Sequence, residues 1–210
     1  MKKIFSFVKL VSLGLMAGFL SACIDSGGGG GSGTSGPQTV LVIGDSISGA
    51  TNYPGVPPWP SIVAGMVPEW TVVNRATAGE KMNGGRAKVG GLLETYQPNT
   101  LVIFYGSNNA IQGDTAFFES DLRATIQAGK AAGAKVVVCT IPNMYGSRSI
   151  YNGRVGGINA SVRAAAGGEG AGVININGEF GTTSEDLFPD GLHPNLDGQN
   201  IIAVSVRERI

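Results

Sequence analysis

The chain has 210 residues, 42% of them hydrophobic and 14% charged, with 34 glycines, roughly twice the usual share. Low charge with ample apolar content excludes a disordered acidic or basic tail protein, and two cysteines exclude a disulfide scaffold. Lysine plus arginine equals aspartate plus glutamate at 15 each, so no basic field points to nucleic acid.

Lys2 and Lys3 precede an apolar run from Leu10 to Leu20. That run is too short to span a bilayer comfortably and has the length of a signal-peptide core. Leu20-Ser21-Ala22-Cys23 resembles a bacterial lipobox, which implies cleavage before Cys23 and lipidation of its sulfur. The expected organisation is a signal peptide over 1–22, a lipidated cysteine with a Gly/Ser-rich linker over 23–37, and a folded domain over 38–210. Loss of residues 1–22 removes three lysines and no acid, leaving a net charge of −3. Residues 26–36 form a flexible tether with a reach on the order of 20 Å. No Gly-Lys-Ser/Thr follows it, so it is not a phosphate loop. Ile24 stands where the resemblance would place an aspartate for inner-membrane retention. The resemblance therefore implies the outer membrane in a Gram-negative host. With Cys23 lipidated, Cys139 lacks a partner and reads as a core residue.

The elements alternate in chain order. Val40–Gly44 reads as a strand. Ala50–Pro60, with Tyr53, Trp59 and four prolines, reads as a stiff loop wall. Thr71–Asn74 is a second strand, followed by a helical stripe of Val89, Leu92, Leu93 and Tyr96. Thr100–Tyr105 is a continuous apolar strand, followed by a stripe of Phe118, Leu122, Ile126 and Gly129. Lys135–Thr140 is the fourth strand. A loop over Pro142–Arg154 then carries Tyr145, Arg148, Tyr151 and Arg154. Tyr151, Val155, Ile158 and Val162 form the next stripe, weakened by Gly153, Gly156 and Gly157. Gly172–Ile176 is the fifth strand, and Ile201, Ile202, Ser205 and Val206 predict a terminal helix. This alternation predicts an open parallel sheet with helices on both faces, and ligands beyond the carboxyl ends of its strands.

Four segments follow strands and carry reactive or polar side chains. They are Gly44-Asp45-Ser46-Ile47, Asn74 through Gly79, Gly106-Ser107-Asn108-Asn109, and Asp190-Gly191-Leu192-His193. Each alone reads as a turn. His193 is the only histidine, and an acid three residues earlier can reach back to fix its tautomer. Together, and in this order, the four segments resemble the SGNH/GDSL hydrolase family, most closely its compact bacterial esterase and lysophospholipase/thioesterase branch.

That resemblance implies a three-layer α/β/α, flavodoxin-like fold around a five-stranded parallel sheet. It also implies Ser46 as nucleophile, His193 as base and Asp190 as the group that orients the base. The Ser46 and Gly79 N–H groups and the Asn108 amide are implied as the oxyanion hole. Asn109 departs from the family's usual aspartate and is expected to affect loop packing rather than chemistry. One histidine and one free thiol supply a zinc site poorly, so no metal or cofactor is expected. The chain lacks the Gly-x-Ser-x-Gly elbow of α/β-hydrolases.

Ala-Ile-Gln-Gly-Asp after Asn109 offers little apolar wall, which points to acyl groups from acetyl to about butyryl. The Tyr, Trp and Arg side chains of the loops also suit a carbohydrate O-acetyl ester. The alternatives are a lysophospholipase or thioesterase acting on longer chains, an acyltransferase, and a catalytically silent envelope-binding lipoprotein. A monomer acting on a small-molecule, glycan or lipid ester is expected, with a membrane as partner only through the lipid.

Overall fold

The computed structural model describes residues 37–49, 53–182 and 184–210. The expected signal segment, Cys23 and nearly all of the tether lie outside the described residues. Five strands, β1 (Thr39–Gly44), β2 (Thr71–Asn74), β3 (Thr100–Phe104), β4 (Lys135–Cys139) and β5 (Gly172–Ile174), form one sheet in the order β2-β1-β3-β4-β5. Every pairing is parallel, with Val42 opposite Val102 in the central pair. This is the doubly wound, flavodoxin-like order. Leu41, Val42, Ile43, Leu101, Val102, Ile103 and Phe104 are wholly buried, as strands covered on both faces require.

The helices are α1 (Trp59–Met66), α2 (Met82–Tyr96), α3 (Ser107–Gln112), α4 (Phe118–Ala131), α5 (Asn152–Glu169), α6 (Ile176–Phe180) and α7 (Leu196–Arg207). The four expected stripes fall on α2, α4, α5 and α7. α1 packs on α7, whereas α2 and α5 both pack on α4, which gives the two helical layers. α5 holds despite its glycines because Val155, Ile158, Val162 and Ala165 bury one face. The Asn159 side chain also bonds both the N–H and the carbonyl of Ile141, at 2.8 and 2.9 Å.

The loop reading of Ala50–Pro60 needs correction at its end. Trp59 and Pro60 open α1, where proline suits a first helical turn whose N–H groups have no intrahelical acceptor. Trp59 is fully buried, so it is not a substrate wall. Its ring N–H donates to Ser48 Oγ at 3.0 Å and its backbone N–H to Gln199 Oε1 at 2.8 Å. Cys139 is buried on β4, where burial pushes its thiol up and makes it unreactive.

Candidate active site

β1 and β3 are the neighbouring strands at which the winding direction of the sheet reverses. Ser46 lies two residues beyond β1, and Asn108 four residues beyond β3. His193 arrives from the segment preceding α7. Its Nε2 lies 2.9 Å from Ser46 Oγ, and its Nδ1 lies 2.7 Å from Asp190 Oδ2. The structure thus brings Ser46, His193 and Asp190 into one hydrogen-bonded chain, with Ser46 only 8% exposed.

The segment carrying His193 is tightly held. Asp190 Oδ1 accepts the Leu192 and His193 N–H groups at 2.9 and 2.7 Å. Burial raises the Asp190 carboxyl. The His193 N–H, the imidazole and the Leu192 N–H outweigh that and hold it at about 2. Gly191 sits at φ +77°, where a Cβ would strike the Tyr145 carbonyl. The two backbones are also joined by Tyr145 N–H to Gly191 O at 2.9 Å. Arg148 Nε donates to the Asp190 carbonyl, and the Asp190 N–H donates to the Tyr53 hydroxyl, both at 3.1 Å. Tyr53, read from the sequence as part of a wall, therefore braces the acid.

Gly79 lies in an exposed turn at φ +77°. Asn108, half-buried at the start of α3, donates from Nδ2 to the Glu80 carbonyl at 3.1 Å. An amide carries two N–H bonds, so one remains for another acceptor. Asn108 is thereby joined to the residue that directly follows Gly79. Asn109 plays the packing role expected of it. Its side chain accepts the Met82 N–H at 3.2 Å and donates to the Asp114 carbonyl at 2.7 Å. It pins the start of α2 to the end of α3.

Gln199 escaped the sequence reading, and Asp45 entered it only as part of its segment, without a role. Gln199 accepts from Trp59 and donates to the Ile47 carbonyl at 3.3 Å, fixing the turn that carries Ser46. It lies on α7 among apolar neighbours, where periodicity marks only a buried position. Asp45 is 1% exposed. Its Oδ1 accepts the Ile47 N–H at 3.0 Å, and its Oδ2 has no partner at hydrogen-bond geometry. Burial pushes its carboxyl up to about 7, against the Ile47 N–H and the Ser107 N–H and hydroxyl.

A carboxyl raised on folding binds its proton more tightly in the native state. It therefore costs stability as pH climbs from its unfolded value of 3.8 to about 7. Asp45→Asn removes that cost. Its melting temperature should gain on wild type between pH 5 and 8, by about 5 °C at the upper end. Thermal melts of both proteins across this range check it, and a pH-independent difference would refute it.

Among the described residues, no cluster of three or more His, Cys, Asp or Glu side chains suits a metal ion. A buried serine within reach of an oriented imidazole, beside amide donors, can perform acyl transfer.

Residues 42–201 match the GDSL-like Lipase/Acylhydrolase family. The chain is 32% identical to esterase TesA of Pseudomonas aeruginosa over 171 residues, covering 77% of this chain and 82% of the relative. It is 29% identical over 170 residues to thioesterase 1/protease 1/lysophospholipase L1 of Escherichia coli, covering 79% and 80%. Its fold superposes on Axe2, an acetylxylan esterase from Geobacillus stearothermophilus, with a TM-score of 0.70 at 17% identity, over 81% of this chain and 93% of that one. An α/β sheet of this order, carrying a family match over most of its length, makes the chain a serine ester hydrolase of the GDSL-like lipase/acylhydrolase family.

Proposed function

We propose that the protein cleaves short-acyl or O-acetyl carboxylic esters through an acyl-enzyme on Ser46, with His193 as general base and Asp190 as its orienting group. The observation that carries this reading is the continuous chain from Ser46 Oγ through the imidazole to Asp190, at 2.9 and 2.7 Å. Ser46 Oγ bonds to the acyl carbon as its proton passes to His193 Nε2. Collapse of the tetrahedral adduct expels the alkoxide, which takes that proton and leaves as alcohol. Water then attacks the acyl carbon, gives a proton to Nε2, and the proton returns to Ser46 as the acid departs. The Ser46 and Gly79 N–H groups and the free N–H of the Asn108 amide hold the oxyanion in both halves.

The surface beyond Asn108 supports a short acyl group. Asn109 ties back the strap that ends at Asp114, and Lys81 Nζ bridges to Asp114 Oδ2 at 2.6 Å. The strap following Asn108 is therefore tied by polar bonds, which suits a short acyl group better than a long one. A second reading, hydrolysis of long-chain thioesters or lysophospholipids, draws on the name of the Escherichia coli relative.

A fluorophosphonate should label Ser46, and turnover of p-nitrophenyl esters should peak between acetate and butyrate. A peak at octanoate or longer would replace the first reading by the second. A folded protein that neither takes the label nor hydrolyses any ester is a binding protein.

Location is part of the same proposal. Cleavage before Cys23 and lipidation of its thiol would tether a monomeric domain to the cell envelope, at the outer membrane in a Gram-negative host. Multiple acyl chains anchor far better than one. Radiolabelled palmitate should enter the protein in cells and be lost in Cys23→Ser.

A further inference from the structure

The set of Ser46, His193 and Asp190 leaves unused an ionic cluster just behind the strand ends. Glu80 follows Gly79 directly and meets partners from three elements. Its carboxylate accepts the Tyr105 hydroxyl at 2.5 Å and pairs with Lys88 Nζ of α2 at 2.6 Å. Its backbone carbonyl accepts Asn108 Nδ2 at the head of α3. Lys88 extends the clamp, donating to the Arg75 carbonyl at 2.8 Å and to the Thr77 hydroxyl at 3.0 Å. The loop between β2 and α2 is thus held in its first half, at Arg75 and Thr77, and at Glu80 near its end. Tyr105 is 1% exposed, and burial followed by the Glu80 carboxylate pushes its hydroxyl up, so it stays a donor.

The chain gives up helix propensity to build this contact. α2 begins Met82-Asn83-Gly84-Gly85, a poor helical first turn. A Cβ on Gly85 would stand 2.5 Å from the Tyr105 ring, and one on Gly84 would stand 2.7 Å from Glu80 Cγ. Only glycines let Tyr105 and Glu80 approach α2 so closely.

We propose that Glu80 is a positioning residue for the oxyanion donors, locking Gly79 and Asn108 into one fixed relation. The inference rests on the esterase reading above. Gly79 comes from the loop after β2 and Asn108 from the start of α3, so no single element sets their distance. The Glu80 carbonyl takes one N–H of the Asn108 amide and so aims the other. The carboxylate, gripped by Tyr105 and Lys88, keeps that carbonyl in place. Donors fixed in advance act on charge that develops only in the transition state, so loosening them lowers kcat and leaves KM in place.

The test is steady-state hydrolysis of p-nitrophenyl acetate by the full chain, its Glu80→Gln, Glu80→Ala and Asn108→Ala variants, and the Glu80→Ala/Asn108→Ala double variant. Glu80→Ala should lose about 10–100-fold in kcat with KM within about twofold, and Glu80→Gln about 10-fold or less. Asn108→Ala alone should lose about 100–1,000-fold. In that background Glu80→Ala should cost clearly less than it does in wild type, because one of the two donors it positions is already gone. If Glu80→Ala fails to fold, Glu80→Gln alone and combined with Asn108→Ala is read in the same way. An unchanged kcat, a loss confined to KM, or losses that multiply in the double variant would overturn the proposal. Wild type that neither turns over ester nor takes a fluorophosphonate on Ser46 overturns the esterase reading itself, a result distinct from any of these.

Discussion

Ser46→Ala should lose at least about 1,000-fold in kcat on p-nitrophenyl acetate, and up to about 10⁶-fold. Only a hydroxyl is removed, from a residue already buried at a turn fixed by Ile47, Asp45 and Gln199. Circular dichroism and melting should therefore match wild type, and the loss reads chemistry rather than folding. The covalent label should vanish with the activity. A variant as active as wild type would mean that another group attacks the ester.

Asp190→Asn should lose about 10⁴-fold in kcat, more than its small change in shape suggests. The geometry dictates how the new amide must lie. Two backbone N–H groups, from Leu192 and His193, converge on the Oδ1 position and demand an oxygen there. The amide nitrogen is then forced to face His193 Nδ1, where the carboxylate oxygen had stood. It donates where the imidazole should donate, so the proton settles on Nε2 and that nitrogen no longer accepts from Ser46. Measuring kcat and KM for this variant beside Asp190→Ala checks the reasoning. Near-wild-type turnover in Asp190→Asn would refute it.

The pH behaviour of the wild-type acid follows as well. Its carboxyl is depressed on folding, so its stabilisation is complete above its unfolded value of 3.8 and is lost as pH falls through about 2. Asp190 therefore stays ionised wherever an ester assay is run.

The strands were legible because β1, β3 and β4 are buried on both faces and write themselves as unbroken apolar runs. α2, α4, α5 and α7 were legible because each buries one periodic stripe. α1 was hidden by Pro57, Pro58 and Pro60, which read as loop but stand at the entry of a helix, where proline is tolerated. α3 was hidden because Ser107, Asn108 and Asn109 are weak helix formers, held in place by tertiary bonds to Met82, Glu80 and Asp114. The same difference separates the site residues. Ser46, Asp190 and His193 stand in short segments whose spacing carries the chemistry. Glu80 and Gln199 act through groups brought to them from other segments, so nothing near them in the chain announces those partners.

Ser46 and His193, its proposed base, lie 147 positions apart in the chain. Synthesis at about 5–20 residues per second leaves roughly 7–30 s between their emergence. Throughout that interval the nascent protein carries an ordinary alcohol. Gln199, which steadies the serine turn, emerges later still than His193. Under the proposed mechanism, hydrolytic competence therefore waits until the chain has passed His193 and Gln199, and a product interrupted before them carries Ser46 without its base.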